Sequence, residues 1–288
     1  MTINSCFEIH ADYPPYQEGL PDVPDTFSPE DSPNDPHSQG CNDKCVSNGI
    51  YFPIHIDTDY TRYTVPAVLP ASVDLSSNMP PIRSQGQQGS CVAWTVGYYL
   101  KSYQEKIQHG YDYTDFSSVM SPAYVYNQVK ESGCASGSSM ENSLEILKNQ
   151  GIVSWQDFPY SDEQCSILPN QALIDIAADN KISAYYELGI PSDQSDPHVT
   201  LINIMKALLA EGRALPSAFD MDPYDDQCGH AQLIVGYDDA RHAFKRANSW
   251  GTYYGDNGYD YIDYKYFLPS NNPNFEVGLL SVYVTYDE

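Results

Sequence analysis

The segment that decides the fold is QGQQGSCVAW, residues 85–94, in which a glycine-rich turn leads into an amphipathic stretch. Apolar side chains recur near every third or fourth residue from Val92 to Gln108, which predicts a helix. Cys91 would lie in the first turn of this helix, where unpaired backbone N–H groups carry about half a positive charge and favour a thiolate. Because the thiolate is the reactive form of cysteine, Cys91 is a candidate nucleophile.

Gln85 precedes Cys91 by six residues, across the turn. We expect its side-chain amide to point back at the sulfur and, with the Cys91 backbone N–H, to hold the oxyanion formed when a carbonyl is attacked. A donor of this kind lowers a reaction barrier by roughly 3–4 kcal/mol. An isolated cysteine is more often a buried structural thiol, so the assignment of Cys91 depends on partner residues elsewhere in the chain.

A candidate base lies in CGHAQLIVGY, residues 228–237, which predicts an apolar strand with His230 near its start. Gly229, which has no side chain, and Ala231, which has only a methyl group, flank the histidine and leave the face of the imidazole ring open. The alternative, that His230 is an ordinary core or surface residue, holds for most histidines. It is less favoured here because a candidate nucleophile is also present.

A third segment with a candidate site residue is RANSWGTYYGDNGY, residues 246–259, in which Asn248 ends a predicted strand. We expect the side-chain oxygen of Asn248 to accept a hydrogen bond from the His230 ring, which would fix the tautomer and the orientation of the imidazole. Trp250 would shield that hydrogen bond from water and so strengthen it.

Composition excludes two classes of partner. The chain has 288 residues, only 14 Lys and Arg, and a net charge of −25. Nucleic-acid binding requires basic surface stripes, and an anionic membrane surface would repel such a chain. No apolar run approaches the roughly 18 residues of a membrane span. The charge instead predicts a soluble monomer.

Cysteine usage predicts a secreted protein. The count is odd, which suggests disulfides together with one free thiol. Six paired cysteines would allow 15 connectivities, which the sequence alone does not rank. The N-terminus has neither a basic segment nor an apolar core typical of a signal peptide, so either the protein stays inside the cell or a signal peptide has been removed. The cysteine count favours the second alternative, and we expect export. The seven cysteines are Cys6, Cys41, Cys45, Cys91, Cys134, Cys165 and Cys228.

Residues 1–65 differ from the rest of the chain. Prolines recur every few residues, which blocks helices and predicts an extended segment with one strand-like run at residues 50–56. The segment is either a flexible leader or a propeptide or lid held by disulfides. A zinc site is a further alternative, but the ligand spacing is irregular and a disulfide explains the cysteines more simply. Its ligands would be His37, Cys41, Cys45 and His55.

The remaining chain predicts an α+β fold, with helices first and antiparallel strands later. Beyond the helix at Val92, further helices are expected after Ser121, at 140–148 with Gly151 as the stop, and at 198–210. Strands are expected at 182–188, 215–219, 231–237, 243–248, 259–264 and 279–286. This order favours a helical lobe followed by a sheet lobe.

The chain resembles papain-family (C1-type) cysteine peptidases. The resemblance is carried by the order Gln85, Cys91, His230, Asn248 and by the phrases QGxxGSC, GHA and NSWGxxxGxxGY. His230 and Asn248 follow the cysteine by 139 and 157 residues, close to the roughly 130–150 residues typical of the family. Lesser similarities extend the match over residues 66–288: VDL at 73–75, MSPAY at 120–124, GCASG at 133–137, GIV at 151–153 and FPY at 158–160.

The resemblance implies a papain-like two-lobed fold, with a helical left lobe, an antiparallel β-barrel-like right lobe and the active site between them. It implies an endopeptidase in which Cys91 and His230 form a thiolate–imidazolium ion pair and peptide bonds are hydrolysed through a thioester. Asn248 would orient the histidine and Gln85 would stabilise the oxyanion. No cofactor or metal is implied.

The resemblance also implies where protein or peptide substrates bind. Gly137 would pair with the substrate backbone through its N–H and C=O groups, with Ser136 and Gly229 nearby. Two other functions are open on the same residues. One is a catalytically silent binding protein that keeps the fold, and the other is a different acyl-transfer enzyme such as an amidase or transpeptidase.

This sequence departs from the family pattern around the nucleophile. Gln88 stands where the family usually has a cysteine, and Val92 replaces a tryptophan, with Trp94 supplying an indole two residues later. The loss of that cysteine removes one conventional disulfide. We therefore expect Cys134 to pair with Cys165.

Two further departures concern the cleft and the N-terminal region. The segment between Phe219 and His230 is short, and GYDD at 236–239 follows, as in bacterial members, so substrate preference does not carry over. Family propeptides contain a long charged helix, which the prolines in residues 1–65 forbid. We therefore expect residues 1–65 to be an atypical propeptide over the cleft and residues 66–288 to be the peptidase domain.

Overall fold

The computed structural model describes residues 62–189, 197–220, 229–267 and 278–287. The predictions made for residues 1–61, including the strand-like run and the zinc alternative, lie outside these residues, as does Cys228. Within them the helices come first and the long strands later, so the α+β prediction is confirmed.

Five helices are described. The first, α1, begins at Cys91 and ends at His109; Cys91–Ala93 and Ser102–His109 are α-helical, and Trp94–Lys101 between them is π-helical. The others are α2 (Pro122–Val129), α3 (Met140–Asn149), α4 (Gln171–Ala177) and α5 (Pro197–Ala210). Short 3₁₀ turns lie at Ser76–Asn78, Ala178–Asn180 and Tyr264–Phe267.

Burial along α1 departs from the sequence prediction near the end of the helix. The sequence predicts one apolar stripe that runs from Val92 to Ile107, but Ile107 is 57% exposed whereas Val92 and Tyr103 are buried. Tyr103 and Ile107 lie four residues apart on one face of the α-helical segment Ser102–His109, so the π-helical residues before them do not account for the difference. The apolar stripe is therefore buried only as far as Tyr103.

Side-chain caps fix where the next two helices begin. Ser121 accepts a hydrogen bond from the Tyr124 N–H, and Pro122 occupies the first helical position, as the sequence predicted. Ser139 caps α3 in the same way, through the Asn142 N–H. The predicted stop of α3 is also confirmed, since the helix ends at Asn149, two residues before Gly151.

Among the described residues, seven strands form one antiparallel sheet. Its order is β2-β7-β3-β4-β5-β6, and β1 pairs with the end of β4. The strands are β1 (Ser72–Asp74), β2 (Ile182–Glu187), β3 (Leu215–Asp220), β4 (Gly229–Asp238), β5 (Ala243–Ala247), β6 (Tyr259–Asp263) and β7 (Gly278–Asp287).

The sheet is open among the described residues, which corrects the expectation of a barrel-like right lobe. Closure would require β2 and β6 to pair, but each lies at an edge of the sheet. The chain that leaves β6 turns inward instead, and the side chains of Tyr264 and Phe267 pack in the core with Phe244. These rings belong to the right-lobe core, so the chain after β6 packs against the sheet instead of extending it.

The helix α1 lies between the two lobes. Its first residues pack against α2 and α3 in the left-lobe core, while α5 covers β3 and β4 in the right-lobe core. A third, aromatic-rich cluster joins them: Trp94 and Tyr98 of α1 pack with Leu233 and Val235 of β4. The start of α1 is therefore fixed relative to β4.

A disulfide ties the left-lobe loop that follows α2 to a distant segment. Cys134 and Cys165 are bonded, with their Cα atoms 5.5 Å apart, so the predicted pairing is confirmed. Gln88, which replaces the usual cysteine of the family, is buried and donates a hydrogen bond from Nε2 to the Ser161 carbonyl at 3.1 Å.

We expect Cys134→Ser/Cys165→Ser to lower the free energy of unfolding by about 3–4 kcal/mol, because the bond closes a loop between residues 31 apart. Urea denaturation without reductant measures the change. Cys91→Ser is the matched control, since Cys91 is not part of a disulfide. A double variant as stable as this control would contradict the prediction.

Candidate active site

The turn before α1 is built on two crowded glycines. Gly86 has a φ of +58°, and a Cβ there would collide with the Asp162 side chain. A Cβ at Gly89 would collide with the Ser136 carbonyl, and the Gly89 N–H donates to the Cys134 carbonyl at 2.9 Å. The turn therefore lies tightly against the left-lobe loop, which fixes where the chain enters α1.

Cys91 is the first residue of α1 and is partly buried. Its side chain packs against the left-lobe core, to which Ala231 of β4 also belongs. Because His230 immediately precedes Ala231, the structure brings the segments that carry the predicted nucleophile and the predicted base together at the lobe boundary.

His230 and Asn248 are hydrogen bonded. The His230 Nε2 atom lies 2.9 Å from Asn248 Oδ1, and both side chains are buried. Asn248 Oδ1 also accepts the Ser249 backbone N–H at 2.7 Å, which fixes the orientation of the amide. An amide oxygen only accepts hydrogen bonds, so Nε2 carries the hydrogen. The neutral ring is then left with Nδ1 as its proton acceptor.

Aromatic rings cover this hydrogen bond. Trp250 stacks on the His230 ring, with centroids 4.2 Å apart and planes inclined by 23°. Tyr254 meets the indole edge-on at 5.0 Å. Trp250 therefore covers one face of the His230 ring, and its role in shielding the hydrogen bond from water stays a prediction.

Burial controls the charge of the histidine. The pKa of His230 is lowered to about 4, chiefly by burial and also by the nearby Arg246, whereas the Asn248 hydrogen bond and Asp260 act in the opposite direction. The imidazole is therefore neutral near pH 7 unless an adjacent anion stabilises the imidazolium. The predicted ion pair thus requires the negative charge of Cys91 to offset the burial of His230.

A buried ion pair supports the histidine, and the sequence interpretation did not include it. Arg246 Nε and Nη2 donate to the two carboxylate oxygens of Asp260 at 2.8 and 2.7 Å. Asp260 also accepts a hydrogen bond from Tyr254 at 3.0 Å, which anchors the ring that meets Trp250. Alternation in β5 places Arg246 on the same face of the strand as Asn248, but its partner on β6 is not evident from sequence.

Gln85 is held by both lobes. Its backbone N–H donates to the Ser249 carbonyl at 2.7 Å, and its side-chain oxygen accepts from the Ser249 hydroxyl at 2.5 Å. Its Nε2 atom donates to the Gln88 carbonyl at 2.8 Å. A side-chain amide has two N–H groups, so one remains to serve a substrate oxyanion.

The predicted substrate loop is organised by its own hydrogen bonds. The Ser136 hydroxyl donates to the Gly133 carbonyl at 2.7 Å and accepts the Ser132 N–H at 3.0 Å, so it braces the loop. Gly137 faces open space on its Cβ side, and its carbonyl accepts the Glu131 N–H at 3.3 Å. A substrate that uses this carbonyl would share it with Glu131.

Gly229 lies on the opposite side of the site, as the exposed first residue of β4. It pairs with Asp220 of β3 and immediately precedes His230. The preceding residues, 221–228, lie outside the described part of the chain.

The described residues contain no group of three or more His, Cys, Asp or Glu side chains arranged to hold a metal ion. The helices found there are all too short or too polar to cross a membrane.

Comparison with known sequences gives one family. The sequence model described as "Papain family cysteine protease" matches residues 69–267. A cysteine proteinase of Theileria parva is 26% identical over 203 residues, which are 64% of this chain and 40% of that protein. Cathepsin K of Gallus gallus is 30% identical over 207 residues, 66% of this chain and 58% of the relative. The match thus spans well under two thirds of these relatives.

Solved structures share the fold. Xylellain, a cysteine protease from Xylella fastidiosa, superposes with a TM-score of 0.59 at 22% identity and covers 83% of this chain and 96% of its own. Procathepsin L2 from the larval midgut of Tenebrio molitor gives a TM-score of 0.57 at 25% identity, covering 77% of this chain and 70% of that one. These similarities confirm the α+β architecture with helices on one side and an antiparallel sheet on the other.

In a Cys91→Ala background, we expect the free energy of unfolding to fall by about 3 kcal/mol between pH 6.5 and pH 4 because of the titration of His230. The pKa of His230 is about 4 in the folded protein and 6.5 in an ordinary histidine, so the unfolded state binds the proton first. The stabilisation is complete above pH 6.5 and is lost as the pH falls toward 4.

The control for this prediction is His230→Gln in the same background. Its amide N–H keeps a donor for Asn248 while removing the titrating group, and the carboxylates of the two proteins titrate alike. Urea denaturation at a series of pH values gives the difference between the two proteins. If both lose the same stability between pH 6.5 and pH 4, His230 is not buried in its neutral form.

Proposed function

The chain belongs to the papain family of cysteine proteases, and we propose that it is a cysteine endopeptidase that hydrolyses peptide bonds through a thioester. The observation that carries the proposal is the buried hydrogen bond between His230 and Asn248, on a strand packed against the start of the helix that begins at Cys91. It leaves Nδ1 of a shielded imidazole as the proton acceptor at the lobe boundary.

In the proposed acylation step, the Cys91 sulfur attacks the carbonyl carbon of the peptide bond, and its proton passes to His230 Nδ1. The carbonyl oxygen becomes an oxyanion that accepts hydrogen bonds from the second N–H of the Gln85 amide and from the Cys91 backbone N–H. The imidazolium then protonates the leaving nitrogen, the C–N bond breaks, and a thioester remains on Cys91.

In the proposed deacylation step, His230 takes a proton from water, and the resulting oxygen nucleophile attacks the thioester carbonyl. The same donors hold the second oxyanion, after which the C–S bond breaks and the acid product leaves. Asn248 keeps the ring oriented throughout, because Nε2 remains hydrogen bonded while Nδ1 gains and loses the proton.

Substrate binding is proposed for the two sides of the site. On the left-lobe side, Gly137 would pair with the backbone of an extended peptide, and Ser136 supports the loop that presents it. On the right-lobe side, Gly229 lies at the exposed start of β4, beside the histidine. Both contacts are to backbone, which suits a substrate class defined by its peptide chain rather than by one side chain.

The wider organisation is also proposed. Residues 66–288 would form the peptidase domain of a secreted, monomeric enzyme whose short 219–230 segment and GYDD sequence are similar to bacterial members. Residues 1–65 would be an atypical propeptide over the cleft, because their prolines forbid the usual helix and they directly precede the VDL motif that marks the mature start in the family.

We expect iodoacetamide to alkylate Cys91 rapidly, and Cys91→Ser to lower the kcat for hydrolysis of a peptide library by a factor on the order of 10⁵–10⁶. Mass spectrometry of tryptic fragments locates the label, with Cys91→Ala as the unlabelled control. Labelling without hydrolysis would instead identify another acyl-transfer enzyme. Absence of labelling in the folded wild-type protein would favour a catalytically silent binding protein.

We expect the active enzyme to lack residues 1–65, because a segment over the cleft would block extended substrates. Intact-mass analysis of protein purified by its reactivity toward a Cys91-directed label gives the N-terminus directly. The Cys91→Ser variant, which cannot process itself, is the control and should keep the segment. Full activity with residues 1–65 still attached would remove the propeptide from the proposal.

A further inference from the structure

The hydroxyl of Tyr160 connects the two residues that border the proposed nucleophile's turn. It lies 2.6 Å from the Gln85 carbonyl oxygen and 2.8 Å from the Ser90 hydroxyl. A carbonyl only accepts, so Tyr160 donates its hydrogen to Gln85, and the Ser90 hydroxyl must donate to the Tyr160 oxygen. The result is a directed chain of hydrogen bonds from Ser90 through Tyr160 to Gln85.

These hydrogen bonds change the role of Ser90 at the start of α1. Serine in the N-cap position normally accepts a hydrogen bond from the backbone N–H of the second or third helical residue. Ser90 occupies that position but makes no such side-chain bond, and its hydroxyl is fully buried against Tyr160. The polar end of α1 is therefore left to the Cys91 sulfur instead of being partly neutralised by a neighbouring hydroxyl.

The Tyr160 hydroxyl also restrains the backbone carbonyl of Gln85. Ser249 holds the Gln85 backbone N–H and side-chain oxygen from the right lobe, and Tyr160 holds the Gln85 carbonyl from the left lobe. Without the Tyr160 hydroxyl the Gln85 backbone would be restrained from one side only. A displacement of even a fraction of an ångström matters for a group that must meet a developing charge.

The ring of Tyr160 is held independently of its hydroxyl. It packs edge-on against Trp94 at 5.1 Å and lies 5.7 Å from Trp155. Tyr160→Phe should therefore keep the ring in place and remove only the hydrogen-bond chain. This separation makes a role of the hydroxyl in positioning testable apart from its role in packing.

We propose that Tyr160 is a positioning residue of the site, which holds the Gln85 oxyanion donor in place and keeps the Ser90 hydroxyl away from the start of α1. This inference rests on the proposed function. It predicts two separable consequences of losing the hydroxyl. The oxyanion donor becomes misplaced, which lowers kcat, and the thiolate of Cys91 loses part of its stabilisation, which moves its titration to higher pH.

The experiment compares wild type, Tyr160→Phe, Ser90→Ala and the double variant. Tyr160→Phe should lower kcat about tenfold with KM within about twofold, less than the roughly 100–1000-fold cost of deleting an oxyanion donor outright. It should also raise the pH midpoint of Cys91 alkylation by about half a unit. In the Ser90→Ala background, Tyr160→Phe should leave that midpoint unchanged, because no hydroxyl remains to be released.

Tyr103→Phe is the matched control. Tyr103 lies on α1 and belongs to the aromatic-rich cluster against which Tyr160 packs. Its hydroxyl donates to the Gly212 carbonyl at 2.7 Å and makes no hydrogen bond with the turn between Gln85 and Ser90. It should lose a comparable amount of thermal stability while keeping the wild-type kcat and alkylation midpoint. Wild-type kcat and midpoint in Tyr160→Phe, or an equal shift in Tyr103→Phe, would overturn the inference.

The two proposals fail in different ways. If the wild-type protein hydrolyses no peptide, the endopeptidase proposal is wrong, yet the alkylation midpoint still reports whether Tyr160 acts on Cys91. If the wild type is active and Tyr160→Phe matches it in both kcat and alkylation midpoint, only the positioning role is wrong.

Discussion

The site depends on the hydrogen bond between His230 Nε2 and Asn248 Oδ1. An amide oxygen only accepts hydrogen bonds, so this single contact fixes the tautomer of a buried ring and leaves Nδ1 as its acceptor. Burial would otherwise make both groups costly, because unpaired polar atoms inside a protein lose their water without compensation. Two hydrogen bonds join Arg246 to Asp260, and Trp250 stacks on the His230 ring.

The second constraint is that Gln85 belongs to the left-lobe turn but is oriented largely by the right lobe. Ser249 lies next to Asn248, so the residue that orients the histidine and the one that orients the oxyanion donor are consecutive on one strand end. A shift of the lobes would move both together. The orientation of the base His230 and that of the oxyanion donor Gln85 therefore depend on the same short segment, Asn248 and Ser249.

The sequence could predict those parts of the site that depend on local patterns. A glycine turn before an apolar period of 3.6 places Cys91 at a helix start, and alternation places His230 and Asn248 at strand ends. It could not predict the exposure of Ile107, since hydrophobic periodicity does not show where along a helix the contact with the core ends. The Arg246–Asp260 pair and the open sheet were missed because both depend on contacts between strands.

The replacement of cysteine by Gln88 shows how the turn can be held without sulfur. Among the described residues, the turn is fastened by the Gln88–Ser161 and Gly89–Cys134 hydrogen bonds, and the left-lobe disulfide joins Cys134 to Cys165 instead. Gln88 is buried, so its amide hydrogen bond to the Ser161 carbonyl is shielded from water and fixes the backbone of the turn three residues before Cys91.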